Sequence, residues 1–174
     1  MGATQWYVFT GGPCSGKSTM LAEFEKNGFR VVPESAGAVI AEAIAAGKTI
    51  NEARADEIAF QYSVMERQMN CERDLPPDAL LLLDRALPDS AAYHAYLGLN
   101  PDEIMVHCKR NLYKKIFLME LLPFQRGDAR TEDARAAENI HQHIKETYQR
   151  LGYTIISVPA MPIEQRFLFV RSRL

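Results

Sequence analysis

The stretch from Gln5 to Gly28 constrains this chain more than any other part of it. Gln5-Trp6-Tyr7-Val8-Phe9-Thr10 is an aromatic and β-branched run that reads as a buried strand. It leads directly into Gly11-Gly12-Pro13-Cys14-Ser15-Gly16-Lys17-Ser18-Thr19, which fits G-x-x-x-x-G-K-[ST]. Met20, Leu21 and Phe24 then recur at helical spacing until Asn27-Gly28, a helix-closing pair. Strand, glycine loop and helix therefore follow one another in the order that a phosphate-binding loop requires. Glycines at the two ends let successive backbone N–H groups turn inward and form an anion nest. The helix adds its own unpaired N–H groups and the positive end of its dipole. Lys17 is expected to reach the β- and γ-phosphates of a nucleotide, and the Ser18 hydroxyl to bind Mg²⁺.

With 174 residues, 47% of them hydrophobic and 24% charged, the chain fits one soluble globular domain over residues 1–174. Its net charge of −2 gives no electrostatic argument for a nucleic acid or an anionic membrane as partner. No apolar run approaches the roughly 20 residues that span a bilayer, and a strand beginning at Gln5 leaves no room for a cleaved leader. Cys14, Cys71 and Cys108 are odd in number and lack metal-ligand spacing, which suits reduced thiols in a cytoplasmic protein. Cys14 lies inside the loop, where it is either an oxidation-sensitive thiol or a small side chain that fits.

Apolar runs of strand length alternate with longer helical patterns through the rest of the chain, which implies a parallel sheet covered by helices on both faces. Phe29-Arg30-Val31-Val32 reads as a short second strand ended by Pro33, and Ser35 to Ala46 as a helix closed by Gly47. Asn51 suits the N-cap of a long helix through Ile58, Tyr62, Met65 and Met69 to about Arg73. Ala79-Leu80-Leu81-Leu82-Leu83 is a continuous apolar run of the kind found in a central strand. There follow a helix from about Pro88 to Leu97, a short one from Pro101 to about Lys109, and a fourth strand over Lys115 to Leu121. Thr131 is placed to cap a long helix ending at Leu151-Gly152, with Glu132 and Asp133 in its first turn. Thr154 to Val158 reads as a fifth strand broken by Pro159, and Pro162 to Leu174 as a terminal helix.

Ligands of open parallel sheets bind beyond the carboxyl ends of the strands, so residues there are the candidates for chemistry. Asp84 follows the Leu80–Leu83 run directly, and its carboxylate can hold Mg²⁺ opposite Ser18. Arg85 beside it could contact a phosphate or an acceptor. Glu34 follows the second strand; it is either the carboxylate that orients an acceptor hydroxyl and takes its proton, or a helix-start glutamate favoured by the dipole. Arg126, Arg130 and Arg135 fall in and after a polar, glycine-containing segment at about 123–135. Arginines there suit the negative charge of a transferring phosphoryl group, and such a lid would exclude water. Surface salt bridges with Asp128, Glu132 and Asp133 are the plainer account of the same arginines, of which Arg126 and Arg130 are the candidates. Tyr93, His94, Gln61 and Tyr62 are candidates for an acceptor pocket or for packing; His141 and His143, two apart on a helix, cannot form a metal-binding pair.

On Gly11–Thr19, Val31-Val32-Pro33-Glu34-Ser35, Asp84-Arg85 and the segment Phe124–Asp133, the chain resembles the P-loop kinases of the nucleoside and nucleotide kinase type. It looks in particular like the small predicted ATPases grouped with the ribosylnicotinamide-kinase-like AAA domain family. The resemblance implies a three-layer α/β/α P-loop NTPase whose five-stranded parallel sheet has the order 2-3-1-4-5. It implies Lys17, Glu34 and Asp84 around one crevice, Glu34 as base, and adenine near Pro159 and Ala160. Deoxynucleoside kinases usually carry Asp/Glu-Arg-Ser where this chain has Asp84-Arg85-Ala86. The expected activity is Mg²⁺-dependent transfer of the γ-phosphoryl of ATP to a small acceptor, a nucleoside or nucleotide among the candidates. The alternative is a regulatory ATPase acting on a protein partner. A GTPase-type switch is disfavoured, since Asp84-Arg85-Ala86-Leu87 lacks the glycine of Asp-x-x-Gly and no Asn/Thr-Lys-x-Asp motif occurs.

Overall fold

Successive side chains of a strand point to opposite faces, so a wholly apolar strand is stable only with both faces covered. The computed structural model describes residues 4–108, 113–123 and 133–174. Five strands, β1 (Trp6–Thr10), β2 (Val31–Val32), β3 (Leu81–Asp84), β4 (Lys115–Met119) and β5 (Ile155–Val158), pair in parallel in the order β2-β3-β1-β4-β5. This is the order expected. Every residue of β1 and β3 is buried.

Alternation along the strands divides the core in two. Trp6, Val8, Leu81, Leu83, Ile116 and Leu118 face one way, toward Ala92 of α5 (Leu87–Tyr96) and Ile140, Ile144 and Tyr148 of α7 (Ala134–Arg150). Tyr7, Phe9, Leu82, Phe117 and Met119 face the other, toward α1 (Lys17–Lys26) and α8 (Ile163–Arg171). The outcome is a sheet between two helical layers. Each large side chain so buried stabilises the fold by about 1.5–3 kcal/mol before conformational entropy is subtracted. The other helices are α2 (Ser35–Ala45), α3 (Ile50–Ala53), α4 (Glu57–Asp74) and α6 (Asp102–Cys108).

Three local expectations are corrected. The single helix from Asn51 is two helices. Thr49 caps α3, its hydroxyl accepting from the Glu52 N–H at 3.2 Å while its own N–H donates to Glu52 Oε2 at 2.8 Å. Asp56 restarts the chain as α4 by accepting from the Ala59 N–H at 3.0 Å. Two good caps seven residues apart outcompete one continuous helix. The second correction is that Asp133 is the N-cap of α7 rather than a first-turn residue, accepting from the Ala136 N–H at 2.8 Å; Thr131 lies outside the described residues. The third is that the central apolar run enters the sheet at Leu81, since Leu80 is 43% exposed, and Asp84 is the last residue of β3.

Register sets up the site. Phe9 lies beside Asp84 and Val32 beside Leu83, so the carboxyl ends of β1, β2 and β3 are level. The turns that follow, carrying Gly11, Glu34 and Arg85, therefore converge at one edge of the sheet.

Candidate functional site

Two glycines let the loop after β1 lie against its neighbours. A Cβ on Gly11 (φ +133°) would stand 2.5 Å from the Met119 carbonyl oxygen, and one on Gly12 would stand 2.6 Å from that of Ala137. Cys14 takes a left-handed conformation without being glycine (φ 66°), which costs about 1–2 kcal/mol. The surroundings hold it there. The Cys14 carbonyl accepts from the Leu122 N–H at 3.0 Å, and that of Ser15 from Arg166 at 2.7 Å.

The loop curls around its own lysine. Lys17 Nζ donates to the carbonyls of Gly11 and Gly12 at 2.8 and 3.1 Å and to Ser15 Oγ at 3.1 Å. Burial and the nearby Arg85 charge lower the ammonium to about 8, against the pull of Asp84, Glu34 and Asp89. An anion bound beside it would raise this value again. Binding of Mg²⁺–ATP at pH 8 should therefore take up about half a proton. Titration calorimetry in buffers of different ionisation enthalpy measures this, and a binding heat independent of buffer would contradict it.

Ser18 and Asp84 lie side by side, Ser18 Oγ standing 3.5 Å from Asp84 Oδ2. Asp84 Oδ1 is buried without a hydrogen-bond partner among the described residues. An orphaned carboxylate oxygen is expensive inside a protein. Burial, reinforced by Glu34 and opposed by Lys17 and Arg85, pushes the carboxyl up to about 6. A hydroxyl facing a desolvated carboxylate, both oxygen donors, fits a hard divalent cation that keeps waters and phosphate oxygens as its other ligands. No cluster of three or more His, Cys, Asp or Glu able to hold a metal occurs among the described residues.

Arg85 organises the other end. Its backbone is left-handed (φ 69°), and its guanidinium donates to Glu34 Oε1 at 2.6 Å, Asp89 Oδ1 at 3.0 Å and Tyr93 Oη at 3.2 Å. Glu34 occupies the N-cap position of α2, yet its side chain caps nothing. Burial alone would raise this carboxyl; the Arg85 and Lys17 charges prevail and hold it below the ordinary value. Asp89 is a buried hub that also accepts from Thr10 Oγ1 at 2.6 Å, Tyr148 Oη at 2.7 Å and the Ala86 N–H at 3.2 Å.

A cavity of about 330 Å³ joins Lys17 and Ser18 to Glu34, Arg85 and Asp89. Pro13–Thr19 of the loop form one end, and Glu34, Arg85, Phe60, Gln61, Arg54 and Tyr93 line the other. Pro159 is apart from this cavity; its carbonyl accepts from Arg166 Nε at 2.7 Å. Arg126 and Arg130 fall outside the described residues. Sequence reasoning passed over Asp89, Arg166 and the contact between His141 and the loop. Only Asp89 left a trace, as an acidic residue in the first turn of a helix. Arg166, 2% exposed, ties the Ser15, Glu120 and Pro159 carbonyls together from 151, 46 and 7 residues away, a role without local signature. No helix among the described residues is long and apolar enough to cross a membrane.

The sequence matches the family described as AAA domain over residues 6–166. No curated protein sequence matches it. Among solved structures, deoxyadenosine kinase from M. mycoides with the products dCMP and dCDP bound aligns at a TM-score of 0.67 and 11% identity, covering 97% of this chain and 97% of that one. Thymidylate kinase from Candida albicans aligns at 0.67 and 17% identity over 98% and 91%. The NadR protein in complex with NR aligns at 0.70 and 12% identity, over 97% of this chain and 49% of that one. At such identities the likeness is one of fold: the three-layer architecture of P-loop nucleoside and nucleotide kinases.

Proposed function

The chain belongs to the AAA domain family, and on that premise we propose that it is a Mg²⁺-dependent phosphotransferase, moving the γ-phosphoryl of ATP to a small hydroxyl-bearing acceptor. The observation that carries this reading is the single cavity that joins the phosphate loop to the Glu34–Arg85 wall. A nucleotide-binding device alone has no use for a cavity that continues past the phosphate loop to a carboxylate fixed by Arg85. The loop amides and Lys17 hold the triphosphate; Ser18 and Asp84 hold Mg²⁺, which neutralises charge on the phosphates when bound. Glu34, fixed by Arg85, orients the acceptor hydroxyl and takes its proton late, as suits a loose transition state that asks little of a base. We read residues 1–174 as one cytoplasmic domain, with the segment at about 123–135 as its lid, Arg126 and Arg130 as the cations that neutralise the transferring phosphoryl group, and Pro159 beside the adenine.

The charges at the acceptor end are matched already. Arg85 pairs with Glu34 and Asp89, and Arg54 donates to Glu57 at 3.1 Å. A neutral hydroxyl compound such as a nucleoside suits this wall better than a phosphate monoester, which would need cations of its own.

Gly37 of α2 lines the cavity, and a Cβ there would meet nothing within 4 Å. Gly37→Leu should therefore fold, retain Mg²⁺–ATP affinity within about twofold, and raise the acceptor KM about tenfold or more by filling its pocket. Lys17→Ala should lose nucleotide binding itself. ADP production across a panel of nucleosides, their monophosphates and other hydroxyl compounds tests both. If no acceptor raises wild-type ADP production while a protein partner does, the regulatory ATPase is the correct reading.

A further inference from the structure

α7 presses on the phosphate loop from outside. A Cβ on Gly12 would meet the Ala137 carbonyl at 2.6 Å and His141 Cβ at 3.0 Å. At this contact the Gly12 N–H donates to His141 Nδ1 at 3.2 Å, a buried bond between residues 129 apart. An Nδ1 that accepts carries no proton, so the ring is neutral with its proton on Nε2. That nitrogen faces Glu120 Oε2 at 3.4 Å, just beyond the end of β4. Glu120 in turn accepts from Ser157 Oγ, and its carbonyl accepts from Arg166. Together with the ties to the Cys14 and Ser15 carbonyls, this bond holds the loop by its outer rim.

We propose that His141 is a positioning residue for the phosphate loop, its Nε2–H tautomer selected by Glu120, and that protonation of its Nδ1 releases the Gly12 amide and loosens nucleotide binding in acid. The proposal rests on the nucleotide-binding reading of the loop. Protonated Nδ1 would set two donors face to face and place a cation near Lys17. Among the described residues, the charged groups around the ring are Glu120 from the end of β4, Lys17 from α1, Lys145 one turn along α7, and Arg166 from α8 behind Glu120. Burial lowers the imidazole; Glu120 opposes this, Lys17 and Lys145 add to it, and the net result lies below the ordinary value. The neutral acceptor is thus the form present at neutral pH.

His141→Asn keeps an acceptor atom close to the Nδ1 position but cannot be protonated, whereas His141→Leu removes the acceptor. Mg²⁺–ADP affinity is to be measured for wild type and both variants from pH 8 to pH 5. At pH 7.5 the Asn variant should stay within about threefold of wild type, and the Leu variant should bind ~5–10-fold more weakly, the loss of one buried acceptor. On acidification the ratio of wild-type to Asn-variant affinity should fall severalfold by pH 5, late in the range because the imidazole is held below its ordinary value. This ratio cancels titration of Asp84 and of the nucleotide, which both proteins share. A flat ratio, or a Leu variant equal to the Asn variant, overturns the proposal. Ring-nitrogen NMR of the wild type should show the Nε2–H tautomer at pH 7.5, and an Nδ1–H signal refutes the assignment whether or not the variants fold. Wild type that binds no nucleotide at pH 7.5 would sink the functional reading, while the NMR result would still stand for or against the His141 contact.

Discussion

Asp84→Asn should lower phosphoryl transfer about a thousandfold and make the same protein more stable at neutral pH. The first effect follows from losing a negative oxygen donor to Mg²⁺, worth several kcal/mol in the transition state. The second follows from burial. In the folded chain the Asp84 carboxyl is raised from 3.8 to about 6, so the native state binds its proton more tightly than the unfolded state does. Below about pH 3 both states are protonated and the group contributes nothing. As pH rises from 4 to 6 the ionised form becomes progressively costly, up to about 3 kcal/mol at pH 7. The amide avoids that cost. Denaturant unfolding without Mg²⁺ should therefore show the variant ahead by about 1–3 kcal/mol at pH 7.5 and level with wild type near pH 3. Added Mg²⁺ should stabilise the wild type alone. A variant less stable than wild type at pH 7.5 would mean that Asp84 is structural.

Arg85→Met should destabilise the fold by about 3–5 kcal/mol. The guanidinium is the common partner of Glu34, Asp89 and Tyr93. Without it, the buried Asp89 keeps only neutral donors, from Thr10, Tyr148 and the Ala86 N–H, and the half-buried Glu34 keeps only the more distant charges of Lys17 and Arg54. Glu34 would lose the charge that most opposes its desolvation, so its carboxyl would move upward. Lys17 would lose a nearby positive charge and move upward as well. Arg85→Lys keeps the charge but cannot reach three partners with one ammonium, so it should fall between the two. Urea unfolding decides this, and a Met variant within about 1 kcal/mol of wild type would show that the network contributes little.

The phosphate loop was legible because its requirements are local. Glycines where a Cβ would collide and a lysine within reach of its own loop all lie within Gly11–Ser18. Glu34 and Asp84 were legible for a related reason, since Asp84 ends one recognisable strand, Glu34 closely follows another, and parallel strands deliver their carboxyl ends to one edge. The paired caps at Thr49 and Asp56 were misread because Asn51, a residue type equally suited to capping, stands between them and was taken as the one start of the helix. Asp89 escaped because its importance comes from Thr10 and Tyr148, 79 and 59 residues away.

What the amino-acid order alone determined, then, was the layered α/β fold, its strand order through resemblance, and the placement of a phosphate loop with Asp84 and Glu34 at the strand ends. Tertiary structure decided how these groups are charged and held. It set Arg85 between Glu34 and Asp89, desolvated Asp84 and Lys17, and brought Arg166 and His141 onto the outer rim of the loop. The physical reason is range. Backbone conformation answers to near neighbours, whereas desolvation and ion pairing depend on everything within several ångströms in space, wherever it lies in the chain.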